Sequence, residues 1–180
     1  MKKLIILSAA VVLFSSHDMF LKMGSFFLQP DTPATIKLFN GTFDKSENVI
    51  ARKRMKDVSL LGNGARTHPD STQWSEIDTT ITVLNFKTGE PGTWVAGLST
   101  NPNQIELSAT DFNDYLEHDG VLDLLEWRKK NNALDKPAVE KYSKHVKAIF
   151  QVGEKRSDDW KTVLGYSIEF VPVSNPYEDR

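Results

Sequence analysis

The sequence predicts a mainly β protein, an antiparallel β-sandwich with a helical insertion. Apolar and polar residues alternate in three short segments, as in strands with one buried face, at 34–40, 56–61 and 79–84. Turn-forming residues separate the strand segments, at 31–33, 40–41, 62–64 and 89–92. The segments between these turns lack the helical patterns that parallel crossovers need, so antiparallel pairing is favoured.

The chain begins with the pattern of a secretory signal peptide, assigned to residues 1–15. Two lysines precede an apolar run from Leu4 to Phe14, and the small residues Ser15 and Ser16 follow. The run is too short to span a bilayer, which takes about 20 apolar residues. We therefore expect a mature protein that starts at or next to His17 and is periplasmic or extracellular, with no membrane anchor after cleavage.

A helical insertion is predicted over about 108–150. Ser108 and Asp111 form a capping-box pattern, so a first helix should begin there and end at Gly120. A second helix should run toward Lys130, and a third should follow Asp135, with Pro137 in its first turn. The apolar face predicted for the third helix consists of Val139, Tyr142, Val146, Ile149 and Phe150.

Strand character returns after Gly153, with short β-favouring runs at 162–164 and 167–171. The β-sandwich domain is therefore expected to cover residues 16–172. Two prolines close together make residues 173–180 resemble a linker, which leads us to expect that a further domain would follow.

Composition excludes several classes of function. Removal of Lys2 and Lys3 with the signal lowers the basic count from 22 to 20 against 24 acidic residues, a net charge of −4. Nucleic-acid binding is not expected, because such proteins usually carry a clustered basic face. The chain has no cysteine, so disulfides, thiolate metal sites and cysteine nucleophiles are excluded.

The candidate metal ligands are His17 and Asp18. Cleavage after Ser16 would make His17 the first residue, so that its amine and imidazole could close a chelate ring on one ion. Cleavage after Ser15 would make it the second residue. Cleavage after Phe14 would make it the third, a register suited to Cu(II) or Ni(II), but a bulky residue at the cut disfavours this site. The alternative is that His17 merely starts the first strand.

The other three histidines have structural explanations. His68 precedes Pro69 in a turn, where Asp70 could be a co-ligand but a solvated loop histidine is the simpler interpretation. His118 lies at a predicted helix end, where an imidazole suits the helix dipole. His145 lies near the apolar face of the third helix and is expected to be either partly buried or a flanking residue. No metal-binding spacing unites any two of them.

No catalytic constellation is recognisable, and we expect that the protein is not an enzyme. No serine lies in a Gly-x-Ser-x-Gly elbow. The acid pairs Asp111 with Asp114 and Asp158 with Asp159 are interpreted as helix-capping or solvated groups. Trp94 and Trp127 could stack on sugars but are more simply core residues.

Six segments resemble the DUF4198 family of exported bacterial proteins, often called NikM-like or nickel-transport-associated. They are HDMFLK (17–22), NGTF (40–43), GTWVAG (92–97), DFNDYLEHDG (111–120), EKYSKHVK (140–147) and GYSIEFVPVSNP (165–176). The resemblance implies an immunoglobulin-like β-sandwich with a helical insertion. It also implies a second β-sandwich domain beyond the linker, often with a histidine-rich loop, which is expected to be missing here.

Two main functional hypotheses remain, with a third behind them. The first is an exported soluble binding or accessory protein in metal acquisition, with Ni or Cu as the metal and an envelope transporter or receptor as the partner. The second is a cell-envelope interaction or structural module without metal. The third is a carbohydrate-processing protein.

Export is tested by the mass of the mature protein. Because small residues are preferred at the cleavage site, protein recovered from the extracytoplasmic fraction should begin at Ser16 or His17. Mass spectrometry of the intact chain measures this directly. An intact Met1 on that material would contradict the signal-peptide assignment.

Overall fold

Eleven strands and two helices follow one another in the computed structural model, which describes residues 18–178. The strands are β1 (Asp18–Lys22), β2 (Phe27–Leu28), β3 (Pro33–Gly41), β4 (Met55–Gly62), β5 (Ala65–Thr67), β6 (Trp74–Ile77), β7 (Ile81–Lys87), β8 (Gly92–Thr100), β9 (Asn103–Leu107), β10 (Ala138–Tyr142) and β11 (His145–Val152). The helices are α1 (Ala109–His118) and α2 (Leu122–Lys130). Single 3-10 turns lie at Arg52–Arg54, Ser71–Gln73 and Asp158–Lys161.

Two sheets form the body of the fold. One has the order β1-β3-β7-β6 and is antiparallel throughout, and the other has the order β2-β11-β8-β4-β5. Only the β2–β11 pair in the second sheet is parallel. Strands β9 and β10 pair with each other as a separate antiparallel ribbon. The prediction of a mainly β, antiparallel sandwich is confirmed.

The main core lies between the two sheets. Alternate residues of each strand point into it, as the period-2 patterns predict, with Leu38 from one sheet and Leu98 and Phe150 from the other almost fully buried. Phe86 and Phe150 meet edge to face across the core, with ring centroids 5.8 Å apart. Burial of each such side chain contributes about 1.5 to 3 kcal/mol. Trp94 is half-buried and stacks on Phe150.

The first two helices were predicted correctly. The Ser108 side chain accepts a hydrogen bond from the Asp111 amide, and α1 ends before Gly120, whose φ of 73° favours glycine. Arg128 of α2 is buried, lies over the ring of Phe112 and donates to Asn113 Oδ1 at 2.8 Å, which joins the two helices. Trp127 is exposed, so its assignment to the core was wrong. Within residues 18–178, no helix combines the length and apolar character that crossing a bilayer requires.

The predicted third helix was wrong, and the insertion is helical over 109–130 rather than 108–150. Its residues form β10, which pairs with β9, and β11, which enters the five-stranded sheet. Val146, Ala148, Phe150 and Val152 alternate on one face of β11 and pack on the main core. The apolar face predicted for the third helix also fits a helical pattern, and the pairing of β11 with β8 from Gly92 to Ser99 shows that these residues form a strand.

The outer face of the five-stranded sheet is covered by residues 157–178, which we call the strap. Leu164 and Tyr166 of the strap pack on Leu61, Val95 and Ile149 in a second, smaller apolar cluster. The strands predicted at 162–164 and 167–171 do not form, because the strap crosses the sheet face instead of pairing at a strand edge.

The end of the strap packs on the domain, which corrects the expectation that 173–180 is a linker-like tail. Asn175 and Tyr177 are buried. Tyr177 Oη donates to the carbonyl of Ile149 at 2.7 Å, and Asn175 Nδ2 donates to Thr93 Oγ1 at 3.2 Å. Removal of this segment should therefore destabilise the domain.

Hydrogen bonds to carboxylates hold the strap against the sheet. Asp57 of β4 accepts hydrogen bonds from Tyr166 Oη at 2.6 Å, from Ser59 Oγ at 2.8 Å and from Arg66 at 3.0 Å. Burial acts to raise the pKa of Asp57, but the hydrogen bonds and the Arg66 charge outweigh it, so the pKa lies below its usual value. Burial and Asp57 together raise the pKa of Tyr166, which keeps its phenol protonated.

Two further carboxylates act in the same way. Glu169 forms a 3.0 Å ion pair with Lys147 and accepts the amides of Leu164 and Tyr166. Burial acts to raise the pKa of Glu169, and these partners lower it overall. Asp159, which the sequence suggested is solvated, is buried and accepts the amides of Asn63 and Gly64 in the turn after β4.

The contact between strap and sheet requires glycine at position 97. A Cβ at Gly97 would overlap the side chain of Leu164 and approach Tyr166 Oη. Gly97→Ala should therefore lower the free energy of unfolding by about 1 to 3 kcal/mol through overpacking. Urea unfolding followed by tryptophan fluorescence measures this. Gly24→Ala, which meets no atom within 4 Å, is the control, and equal stability of the two variants would contradict the packing described.

The strap network also predicts a pH dependence. Because the pKa of Asp57 is lowered on folding, its contribution is complete above the unfolded value near 3.8 and is lost as pH falls through the lower folded value. Asp57→Asn should reduce stability by about 1 to 3 kcal/mol at pH 7 and by much less below pH 3. Asp158→Asn, in an exposed ion pair with Lys161, should change little at either pH. A deficit of Asp57→Asn that did not vary with pH would disprove the electrostatic role.

Candidate functional site

The candidate site is an open groove at the start of β1, which we call the N-terminal groove. It has a volume of about 430 Å³. Its lining residues are Asp18, Met19, Ile105, Glu140, Tyr142, Ser143, Lys144, His145 and Val146. Asp18, one of the two predicted metal ligands, is therefore a groove residue. The other, His17, lies outside the described residues, as does the predicted signal peptide.

Three strands bring these side chains together. Asp18 is the first residue of β1 and is held opposite Gly41 of β3. Glu140 and Tyr142 belong to β10, and His145 starts β11. Between β10 and β11 the chain leaves the ribbon and enters the five-stranded sheet. Side chains from residues 140–145 therefore line the same groove as Asp18, the first residue of β1.

The turn between β10 and β11 is fixed by the end of β8. The Lys144 amide donates to Thr100 Oγ1 at 2.9 Å, and the Thr100 amide donates to the Lys144 carbonyl at 2.9 Å. Tyr142 Oη accepts a hydrogen bond from Asn103 at 3.2 Å. These hydrogen bonds therefore hold the wall of the groove against β8 and against the ribbon. The backbone from which the groove side chains extend is fixed.

His145 is held by two contacts. Its Nδ1 lies 2.9 Å from Ser99 Oγ, and its ring stacks on Tyr166 with centroids 5.7 Å apart. The predicted partial burial is correct, although the residue lies on a strand and not on a helix. Because Nδ1 is engaged with the hydroxyl, Nε2 is the nitrogen that could serve a ligand.

Lys144 adds a positive charge to the N-terminal groove. Its Nζ donates to Asn40 Oδ1 at 3.2 Å. Burial lowers the pKa of Lys144, the charges of Tyr142 and Asp18 act to raise it, and Arg54 lowers it further, with a lowered pKa as the result. The groove thus combines two carboxylates, an imidazole and a partly desolvated ammonium.

The described residues do not by themselves complete a metal site. Among residues 18–178, no three His, Asp or Glu side chains converge closely enough to hold a metal ion. Asp18 offers an oxygen donor, whereas the Lys144 ammonium would repel a cation placed beside it. A metal at this end of the molecule would therefore need the donors of His17, its imidazole and the mature amine.

The other candidate residues are engaged elsewhere. His68 Nδ1 lies 2.9 Å from the Val58 carbonyl and 3.4 Å from Asp57, on the side of the strap network. The Asp70 carboxylate caps a 3-10 turn by accepting from the hydroxyl and the amide of Thr72, which lower its pKa. His118 is exposed, with Nδ1 3.0 Å from Asp119.

Sequence reasoning missed Glu140 and Lys144 as groove residues. Both fell within the predicted third helix, and the sequence pattern gave no reason to place that helix beside Asp18. The alternation of 146, 148, 150 and 152 was the signal that could have identified β11 and the turn before it.

Comparison with known proteins identifies the family. No curated protein and no solved structure matches the chain. The family model described as a domain of unknown function, DUF4198, matches residues 14–180 and so covers nearly the whole sequence. The chain therefore belongs to the DUF4198 family.

Proposed function

We propose that this chain is an exported binding or accessory protein that holds a divalent transition metal at its mature N-terminus. His17 would supply its imidazole and the free amine, and Asp18 an oxygen ligand. The observation that carries the proposal is the position of Asp18 on a rigid strand at the edge of a groove that also contains Glu140 and His145.

The chain geometry supports this arrangement. Consecutive Cα atoms are 3.8 Å apart across a trans peptide, so residue 17 is one peptide unit from a groove residue. Anchoring of Asp18 in β1 limits the region that the preceding residue can reach. Amine and imidazole donors suit Ni(II) and Cu(II), in line with the nickel-type role that the NikM-like resemblance implies. Glu140 and His145 could complete the coordination, and an envelope transporter or receptor would take the metal onward.

A second candidate function, an envelope interaction module without metal, is favoured by exposed apolar side chains. Leu122 and Trp127 on α2 are 54% and 56% exposed, and Phe170 and Val173 on the strap are 89% and 101% exposed. Aromatic side chains of this kind are common anchors at protein interfaces.

The carbohydrate-processing hypothesis has less support. Exposed Trp127 could stack on a sugar. The acid pair at 158–159 is engaged, however, since Asp158 pairs with Lys161 and Asp159 binds backbone amides.

Calorimetry with Ni(II), Cu(II) and Zn(II) on correctly processed protein tests the metal proposal. Binding should weaken as pH falls through about 6.5, because the chelate requires a neutral imidazole. His17→Ala should weaken binding by at least about ten-fold, since one of the two chelating donors is lost. An N-terminal tag in place of the signal should do the same, because it converts the amine to an amide.

His68→Ala is the matched control and should bind as the unchanged protein does, since His68 faces the strap network. Equal affinity of the tagged and native forms would remove the N-terminal mechanism. Absence of binding in every form would leave the interaction-module hypothesis.

A further inference from the structure

A second groove also contacts Lys144 and has a volume of about 360 Å³. It includes the cations Arg54 and Lys144 and the neutral polar residues Asn40, Asn48, Thr100 and Tyr142, and the apolar segment 49–51 forms the rest of its lining. We call it the cationic groove. We propose that it binds an oxyanion, the phosphate or carboxylate group of a small organic molecule, between Arg54 and Lys144.

Hydrogen bonds at the end of β8 fix the backbone of both cationic residues. The Asn101 amide donates to the Arg54 carbonyl at 2.7 Å, and the preceding amide, that of Thr100, donates to the Lys144 carbonyl at 2.9 Å. Two adjacent amides therefore fix the main chains of two positive residues that are distant in sequence. The Arg54 amide also donates to the Ala51 carbonyl at 2.8 Å, which closes the 3-10 turn that carries the arginine. Backbone hydrogen bonds therefore fix the positions from which the two charged side chains extend.

The hydrogen bonding and charge of Arg54 are unsatisfied within the described chain. Its Nε is buried and has no hydrogen-bond partner among residues 18–178. No carboxylate in that range lies within ion-pair distance of its guanidinium, and no acidic side chain lines the groove. Buried polar groups in proteins nearly always have a partner, so an orphan donor in a side chain that lines the groove favours an external acceptor at this guanidinium.

Lys144 supplies the second charge. Besides its bond to Asn40, its ammonium is influenced by Asp18 from the N-terminal groove and by Arg54 from the cationic groove. Lys144 and Arg54 both line the cationic groove, so two positive charges face one small space and repel each other. An anion between them would relieve this repulsion, and a guanidinium presents the fork that matches carboxylate and phosphate oxygens.

The remaining lining defines the ligand class. Asn48, Thr100 and Tyr142 offer side-chain amide and hydroxyl groups that can donate to oxygen atoms. A volume of about 360 Å³ is larger than inorganic phosphate requires, so the natural ligand should carry its anionic group on an organic body. This inference uses residues of the described chain and does not depend on metal binding at His17.

Isothermal titration calorimetry of the full chain with inorganic phosphate and, separately, with citrate tests the proposal at pH 7. At least one probe should bind at one site per chain. Arg54→Gln and Lys144→Gln should each weaken that binding by about ten-fold or more, as expected when a charge-assisted hydrogen bond is lost. Preference for phosphate or for citrate tells the two sources of oxyanion apart.

Lys53→Gln is the matched control, because Lys53 is the exposed neighbour of Arg54 on the same 3-10 turn and does not line the groove. Lys53→Gln also removes one positive charge, and the affinity for phosphate or citrate should be unchanged. If Arg54→Gln fails to fold, as judged by its thermal melt, Arg54→Lys keeps the charge without the fork and should still weaken binding.

Three results would overturn the proposal. The first is no saturable binding of either probe up to about 10 mM, which is weaker than a specific small-molecule site requires. The second is equal weakening by Lys53→Gln, which would indicate a general charge effect. The third is binding that neither groove variant changes, which would place the anion elsewhere on the molecule.

Discussion

The constraint on which this fold depends is that its five-stranded sheet is buried on both faces. Strand β8 runs through the middle, and eight of its nine residues are buried. The opposite sheet covers one face, and the strap must cover the other. The strap packs most closely on the sheet at Gly97, because Leu164 and Tyr166 occupy the space that a side chain at this position would fill. The sandwich is therefore a three-layer arrangement at β8, although its third layer has no strand pairing.

The outer layer is specified by polar contacts more than by apolar area. The second apolar cluster is small, whereas Asp57, Asp159 and Glu169 each accept several hydrogen bonds at the junction of strap and sheet. A buried ion pair such as Lys147 with Glu169 adds little net stability over an apolar pair, but an unpaired member would be costly. The strap forms no ladder of backbone hydrogen bonds with a neighbouring strand. Its path across the sheet is therefore determined by the hydrogen bonds of these three carboxylates.

The sequence predicted what depends on local pattern and missed what depends on distant contacts. Alternation identified the strands around Leu38, and the cap at Ser108 located α1 correctly. Residues 139–150 satisfied a helical period and a strand period at once, and only their pairing with β9 and β8 decides between them. The same error hid Glu140 and Lys144 from the candidate site. Tyr177 looked like part of a linker because its partner, the Ile149 carbonyl, is 28 residues away.

The short outer strands of the five-stranded sheet affect how this protein can meet others. Its edges are β2, with two residues, and β5, with three. Long exposed edges invite a foreign strand to extend the sheet, which leads to aggregation or to peptide capture by backbone pairing. These short edge strands have too few backbone amide and carbonyl groups to pair stably with a foreign strand. A partner that meets the five-stranded sheet at an edge must therefore recognise side chains, and the short edge strands protect this sheet from polymerising.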